Sequence, residues 1–139
     1  MTATLCVPQW QGSGSDRARK LADGAAELAD LVPAERRVTA PVSQLQGSPD
    51  SDVRRLGVLV DNLAVVQDAL AGLDDTVITL GGDCGVELAP ISAARTRYGD
   101  QLTVLWLDAH PDLNTPQSSP SGAFHGMVLR TLLGQGRRR

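Results

Sequence analysis

No stretch of this 139-residue sequence is long and apolar enough to span a bilayer. The opening residues, Met1 to Leu5, lack the basic and apolar regions of a secretory leader. Cysteine is scarce: Cys6 and Cys84 do not make a disulfide framework, and the expected location is a cytoplasmic, reducing one. Basic charge is not in excess either. A net charge of −3 and a pI of about 5.2 argue against a nucleic-acid partner, since phosphate binding wants a basic face. The one basic cluster, Arg137 to Arg139, reads as a solvated tail. Histidine occurs twice, at His110 and His125, within one short region.

The chain has one domain's worth of residues, and its 42% apolar content suffices for a single core. Strand and helix signals alternate. Thr4–Val7 reads as a first strand, stopped by Pro8. Gln11 to Ser15 is a loop, and Ser15 or Asp16 is a candidate cap for a helix that Pro33 ends. Arg37–Ala40 is a weak second strand, and Ser43 to Asp50 is polar and turn-rich. Ser51 is expected to cap the next helix, along which Leu56, Leu59, Val60, Leu63, Val66, Ala69 and Leu70 form an apolar stripe. Thr76–Leu80 and Leu102–Leu107 are apolar runs with little alternation, which predicts strands covered on both faces. Helices are expected over Val86–Tyr98, with a late start or a kink at Pro90, and over Phe124–Leu133. The pattern predicts a three-layer α/β arrangement with a parallel sheet of about four strands.

Ligands of such sheets bind beyond the carboxyl ends of the strands. The third strand runs into Gly81-Gly82-Asp83-Cys84, and the fourth into Asp108-Ala109-His110-Pro111-Asp112. The second cluster brings two carboxylates and an imidazole together, a donor set that suits Mn²⁺, Fe²⁺ or Zn²⁺ better than Ca²⁺. Gly81 and Gly82 permit a sharp turn and close backbone approach, but no phosphate-loop spacing accompanies them. Asp83 either ligates or braces the turn, with bracing favoured, and Cys84 is either a soft ligand or a small packed thiol. The clustering of both histidines favours proton transfer for His125.

Three blocks together resemble the arginase, or ureohydrolase, family. They are Gly81-Gly82-Asp83, then Trp106 to Pro116 around Asp108-Ala109-His110-Pro111-Asp112, then Ser121-Gly122-Ala123-Phe124-His125-Gly126-Met127. The resemblance runs from about Val77 to Leu133. It implies a metal-dependent hydrolase of linear amidines that cleaves a guanidino carbon–nitrogen bond of arginine or a related amino acid and releases urea. Asp108, His110 and Asp112, joined by Cys84, would hold manganese. Asp112 would also serve the chemistry directly. Asn114 and Ser121 would bind the substrate's α-carboxylate, and His125 would move protons.

The sequence departs from the family pattern at Cys84, where histidine is usual, and at Ala123, where many arginases have asparagine. No Ser-x-Asp-x-Asp segment follows His125, so one Mn²⁺ at most is expected where the family holds two. The reading is therefore a single partial domain over residues 1–139, the N-terminal half of such a fold, inactive by itself and with an aberrant tail at 134–139. The alternative is a non-catalytic remnant that binds one metal or a partner chain. The family's third and fourth strands are separated by two later ones. Here the third and fourth strands are expected either to pair directly or to leave exposed edges that invite self-association.

Overall fold

The computed structural model describes residues 1–49, 51–73 and 76–135; Asp50, at the end of the polar stretch, and the Arg137–Arg139 cluster lie outside these. Three parallel strands form the sheet: β1 (Thr2–Val7), β2 (Arg36–Thr39) and β3 (Thr76–Gly81), in the order β2-β1-β3. The register pairs Leu5 with Val38 and Thr79, and Ala3 with Arg36 and Val77. Burial explains which strand is central, because Ala3 to Val7 are all buried while β2 is mostly exposed.

Alternation along β1 separates two layers. Ala3, Leu5 and Val7 face a core with Val66 of α2 (Leu56–Leu70), Ala89 of α3 (Leu88–Tyr98) and Val86. Cys6 points the other way, and its Sγ donates to the Ala25 carbonyl of α1 (Lys20–Leu31) at 3.5 Å. Right-handed crossovers require this: the chain moves outward from β1 to β2 through α1, then back across β1 to β3 through α2, so the two helices take opposite faces. A short helix, α4 (Val128–Leu132), closes the described chain after a tight 3₁₀ turn at Phe124–Met127.

Several boundaries differ from those expected. Residues 15–19 form successive tight turns, in which the Ser15 hydroxyl accepts from Arg17 N at 3.1 Å, and the α-helix starts only at Lys20. Ser51 does not cap α2; its hydroxyl donates to the Val53 carbonyl, and Arg55 turns the chain into the helix with φ of +60°. Pro90 sits in the first turn of α3, where its missing N–H is harmless, after a 3₁₀ turn over Cys84–Glu87.

The largest difference is at Leu102–Leu107, which joins no ladder among the described residues. A strand exists only through its partner's hydrogen bonds. Here β3 keeps its outer edge open, while Leu105 and Leu107 are 82% and 93% exposed. The sheet therefore has three strands, and of the two expected outcomes the exposed edge is the one found. Of the 134–139 tail, Gly134 and Gln135 are held by backbone bonds to Thr131 and Arg130, and 136–139 lie outside the described residues.

Candidate metal centre

Four loops meet beyond the carboxyl ends of β1 and β3. The loop after β1 supplies Gln9 and Gly12, and the turn after β3 supplies Asp83 and Cys84. Asp108 to Asp112 and the Ser121–Met127 stretch come from the later chain. Close packing at Gly82 joins the first two loops. Asp83 N donates to the Gln9 carbonyl at 3.0 Å, and a Cβ on Gly82 would lie 1.8 Å from that oxygen.

Asp83 is the brace of this junction. Its carboxylate accepts from Gly12 N and Gly85 N at 2.8 Å each and from Gln9 Nε2 at 3.2 Å. Burial raises its pKa, against the lowering effect of those bonds and of nearby His125. The Gly12 carbonyl in turn accepts from His125 N at 2.9 Å, so Asp83 and His125 are tied through one glycine. Nothing in the sequence pairs Asp83 with a loop 71 residues away. The usable hint was that Gln9 to Gly12 follow the end of what becomes the central strand, where parallel sheets build sites.

Cys84, Asp108 and Asp112 each present one ligand atom, and these atoms all lie within 4.8 Å of one another. Cys84 Sγ is 3.8 Å from Asp108 Oδ2. Asp108 accepts from His110 N at 2.8 Å through its other oxygen, which closes a local Asx turn and holds its pKa below the ordinary range. Asp112 is 3% exposed, takes φ of +49°, and leaves Oδ2 without a hydrogen-bond partner among the described residues. Burial raises its pKa, and the charge of Asp108 adds to the effect. The Cys84 thiol is pushed up to about 12 by burial first and then by Asp112, Asp108 and Asp83. The charge of Asp108 thus disfavours ionisation of Asp112, and both carboxylates disfavour the Cys84 thiolate; a divalent cation would offset that repulsion.

The other expected site residues fall around this cluster. His110 is outside the group of three; its Nδ1 is 3.6 Å from Asp108 Oδ1 and its side chain is 79% exposed. His125 lies close enough for its charge to lower the pKa of both Asp83 and Asp112. Asn114 N donates to the Gly126 carbonyl at 2.9 Å, and its Oδ1 accepts from Ser118 Oγ at 3.1 Å. Ser121 Oγ accepts from Ala123 N at 3.2 Å and lies 3.4 Å from Ser119 Oγ. No helix of the described residues is long and apolar enough to cross a membrane.

A parallel α/β sheet with a thiol–carboxylate cluster past its strand ends is the class that fold and site define. The chain belongs to the arginase family, whose model matches residues 16–138. Among similar proteins, an arginase of Staphylococcus aureus is 49% identical over 59 residues, covering 42% of this chain and 19% of its own length. An arginase of Plasmodium falciparum is 36% identical over 83 residues, 60% of this chain and 20% of its own. Two solved structures match nearly the whole fold. Arginase from Bacillus caldovelox gives a TM-score of 0.76 at 27% identity, covering 99% of this chain and 50% of that one. Entamoeba histolytica arginase, solved in complex with L-ornithine, gives 0.74 at 25% identity, with 98% and 50% covered. The chain thus spans about half the length of the solved arginases it matches.

Proposed function

We propose that this chain carries one metal-binding half of an arginase-type ureohydrolase site, and that the 139 residues alone hold a single divalent cation, Mn²⁺ in the family pattern, without hydrolysing a guanidino substrate. The observation that carries this reading is the convergence of Cys84, Asp108 and Asp112 around the unpaired, buried Asp112 Oδ2. Asp108, Asp112 and Cys84 would hold the ion, with His110 joining from the solvent side by rotation of its exposed imidazole. A cation there would supply water of lowered pKa as the nucleophile for a guanidinium carbon.

The chain's own residues would do the rest. Asp112 orients from a buried position, and Asp83 fixes the turn that presents Cys84. His125, tied to Gly12, would carry the proton to the leaving amine. Asn114 and Ser121 stand on the loop after the metal cluster and would hold the α-carboxylate of an amino-acid substrate. The Entamoeba relative's L-ornithine carries such a carboxylate, which supports arginine or a related amino acid as the substrate class.

The second reading is a non-catalytic chain that binds one metal or a partner. The open β3 edge and the exposed Leu105 and Leu107 favour it, because they offer a surface for a second copy or another chain. Metal titration followed by a urea-release assay with arginine separates the readings. Binding of one cation without turnover by this chain, together with turnover once the missing half of a close relative is supplied, supports the ureohydrolase reading. Binding without turnover in both supports the second, and no binding at all contradicts the first.

A further inference from the structure

We infer that the Cys84–Asp108–Asp112 cluster selects a borderline-soft, four-coordinate cation, Zn²⁺ or Co²⁺, over Mn²⁺, Mg²⁺ or Ca²⁺. This rests on the reading of the cluster as a metal site. Three features of the site limit the ion. The first is donor type: one of the three converging atoms is a cysteine sulfur, a ligand that hard cations avoid.

The second is spacing. Cys84 Sγ and Asp108 Oδ2 are 3.8 Å apart. Sulfur and oxygen on one tetrahedral zinc, at the usual bond lengths, stand about 3.5 Å apart. A small adjustment of either side chain closes that difference.

The third is the supply of hard oxygen. Mn²⁺, Mg²⁺ and Ca²⁺ favour shells of six or more, mostly oxygen. The neighbouring carboxylate Asp83 already accepts from Gly12 N, Gly85 N and Gln9 Nε2 and is held in place by the packing of Gly82 on Gln9. His110 lies outside the cluster. The site therefore offers two carboxylates and one sulfur, a shell that one water, or His110 turned in from the solvent side, completes to four. The buried Asp112 Oδ2 makes no hydrogen bond among the described residues, which points to an ion rather than to packing as its counterpart.

The test is Co²⁺ spectroscopy on the 139-residue chain, followed by displacement with Zn²⁺ and Mn²⁺ and repeated on Cys84→Ser and Asp112→Asn. The expected spectrum has a thiolate-to-cobalt charge-transfer band and intense four-coordinate visible bands. Zn²⁺ removes both at one equivalent, and Mn²⁺ in large excess does not. Cys84→Ser should abolish the charge-transfer band and narrow the Zn²⁺-over-Mn²⁺ preference at least about tenfold, the scale on which changes around a metal's ligands register. Asp112→Asn should weaken every ion. Co²⁺ bound without a thiolate band in the unaltered chain, or easy displacement by Mn²⁺, overturns the selectivity while leaving the metal-site reading standing. Absence of Co²⁺, Zn²⁺ and Mn²⁺ binding overturns both. The unaltered chain alone gives the deciding spectrum, so a variant that fails to fold leaves the test intact.

Discussion

Asp83 and Asp112 are buried carboxyls with different surroundings. Asp83 is satisfied by three donors, whereas Asp112 keeps an oxygen free. The first is a structural hub; the second, on the proposed reading, is a metal ligand. The hub depends on Gly82, because any side chain there collides with the Gln9 carbonyl. Gly82→Ala should cost at least about 3 kcal/mol of stability, the upper range of overpacking, read as a lowered denaturant midpoint. Gly24→Ala, with open space around its Cβ, is the control and should be neutral or mildly stabilising.

Glu87 gives a pH prediction away from the cluster. Burial raises its carboxyl above the ordinary value of 4.5, so the folded chain keeps this proton to higher pH than the unfolded one. Its contribution to stability is full below the unfolded value and is lost as pH rises through the folded one. Glu87→Gln should therefore flatten the fall in unfolding midpoint as pH rises above the ordinary value of 4.5. An unchanged slope would mean that Glu87 ionises as freely in the fold as outside it. At this scale the sequence was informative where chemistry is local. Gly82, Asp83, Cys84, Asp108 and Asp112 announced themselves by lying after apolar runs. The partners Gln9 and Gly12 did not, because their roles arise from contacts across 70 or more residues.

Among the elements, Leu102–Leu107 shows what hydropathy reports. The run is apolar throughout, as a strand buried on both faces would be, yet it pairs with nothing among the described residues. Pattern registers the environment for which side chains are suited; pairing needs a neighbour that pattern does not supply. The strands that were legible have partners: β1 pairs with both β2 and β3. Helix starts were less legible because backbone turns displaced the expected side-chain caps: tight turns at 15–19 in one case, and the left-handed Arg55 in the other.

The exposed segment makes a further prediction. Amides of 102–107 should exchange with solvent far faster than those of β1, whose core positions are sealed. Leu105→Lys with Leu107→Lys should reduce any self-association in sedimentation experiments and change unfolding stability by no more than about 0.5 kcal/mol, as expected for surface positions. Protection of 102–107 equal to that of β1 would show that the segment is covered in solution.

At the scale of the whole molecule, the chain matches nearly all of itself to half of an arginase. Its core is complete around β1, with α1 on one side and α2 and α3 on the other. β3 stands at the edge of the sheet, and residues 102–107 pair with no strand among the described residues. Among the described residues, Cys84, Asp108 and Asp112 are the one cluster found that could hold a metal ion. Urea release from arginine should stay at background with Mn²⁺ or Zn²⁺ present, because a hydrolytic pair of ions needs more donors than Cys84, Asp108, Asp112 and His110 provide.

Metal stoichiometry by native mass spectrometry tests this most directly. The 139-residue chain, titrated with Zn²⁺ or Mn²⁺ and compared with Asp112→Asn, should carry one ion per chain, lost or strongly weakened in the variant. Two tightly held ions per chain, or none with either metal, would contradict the account.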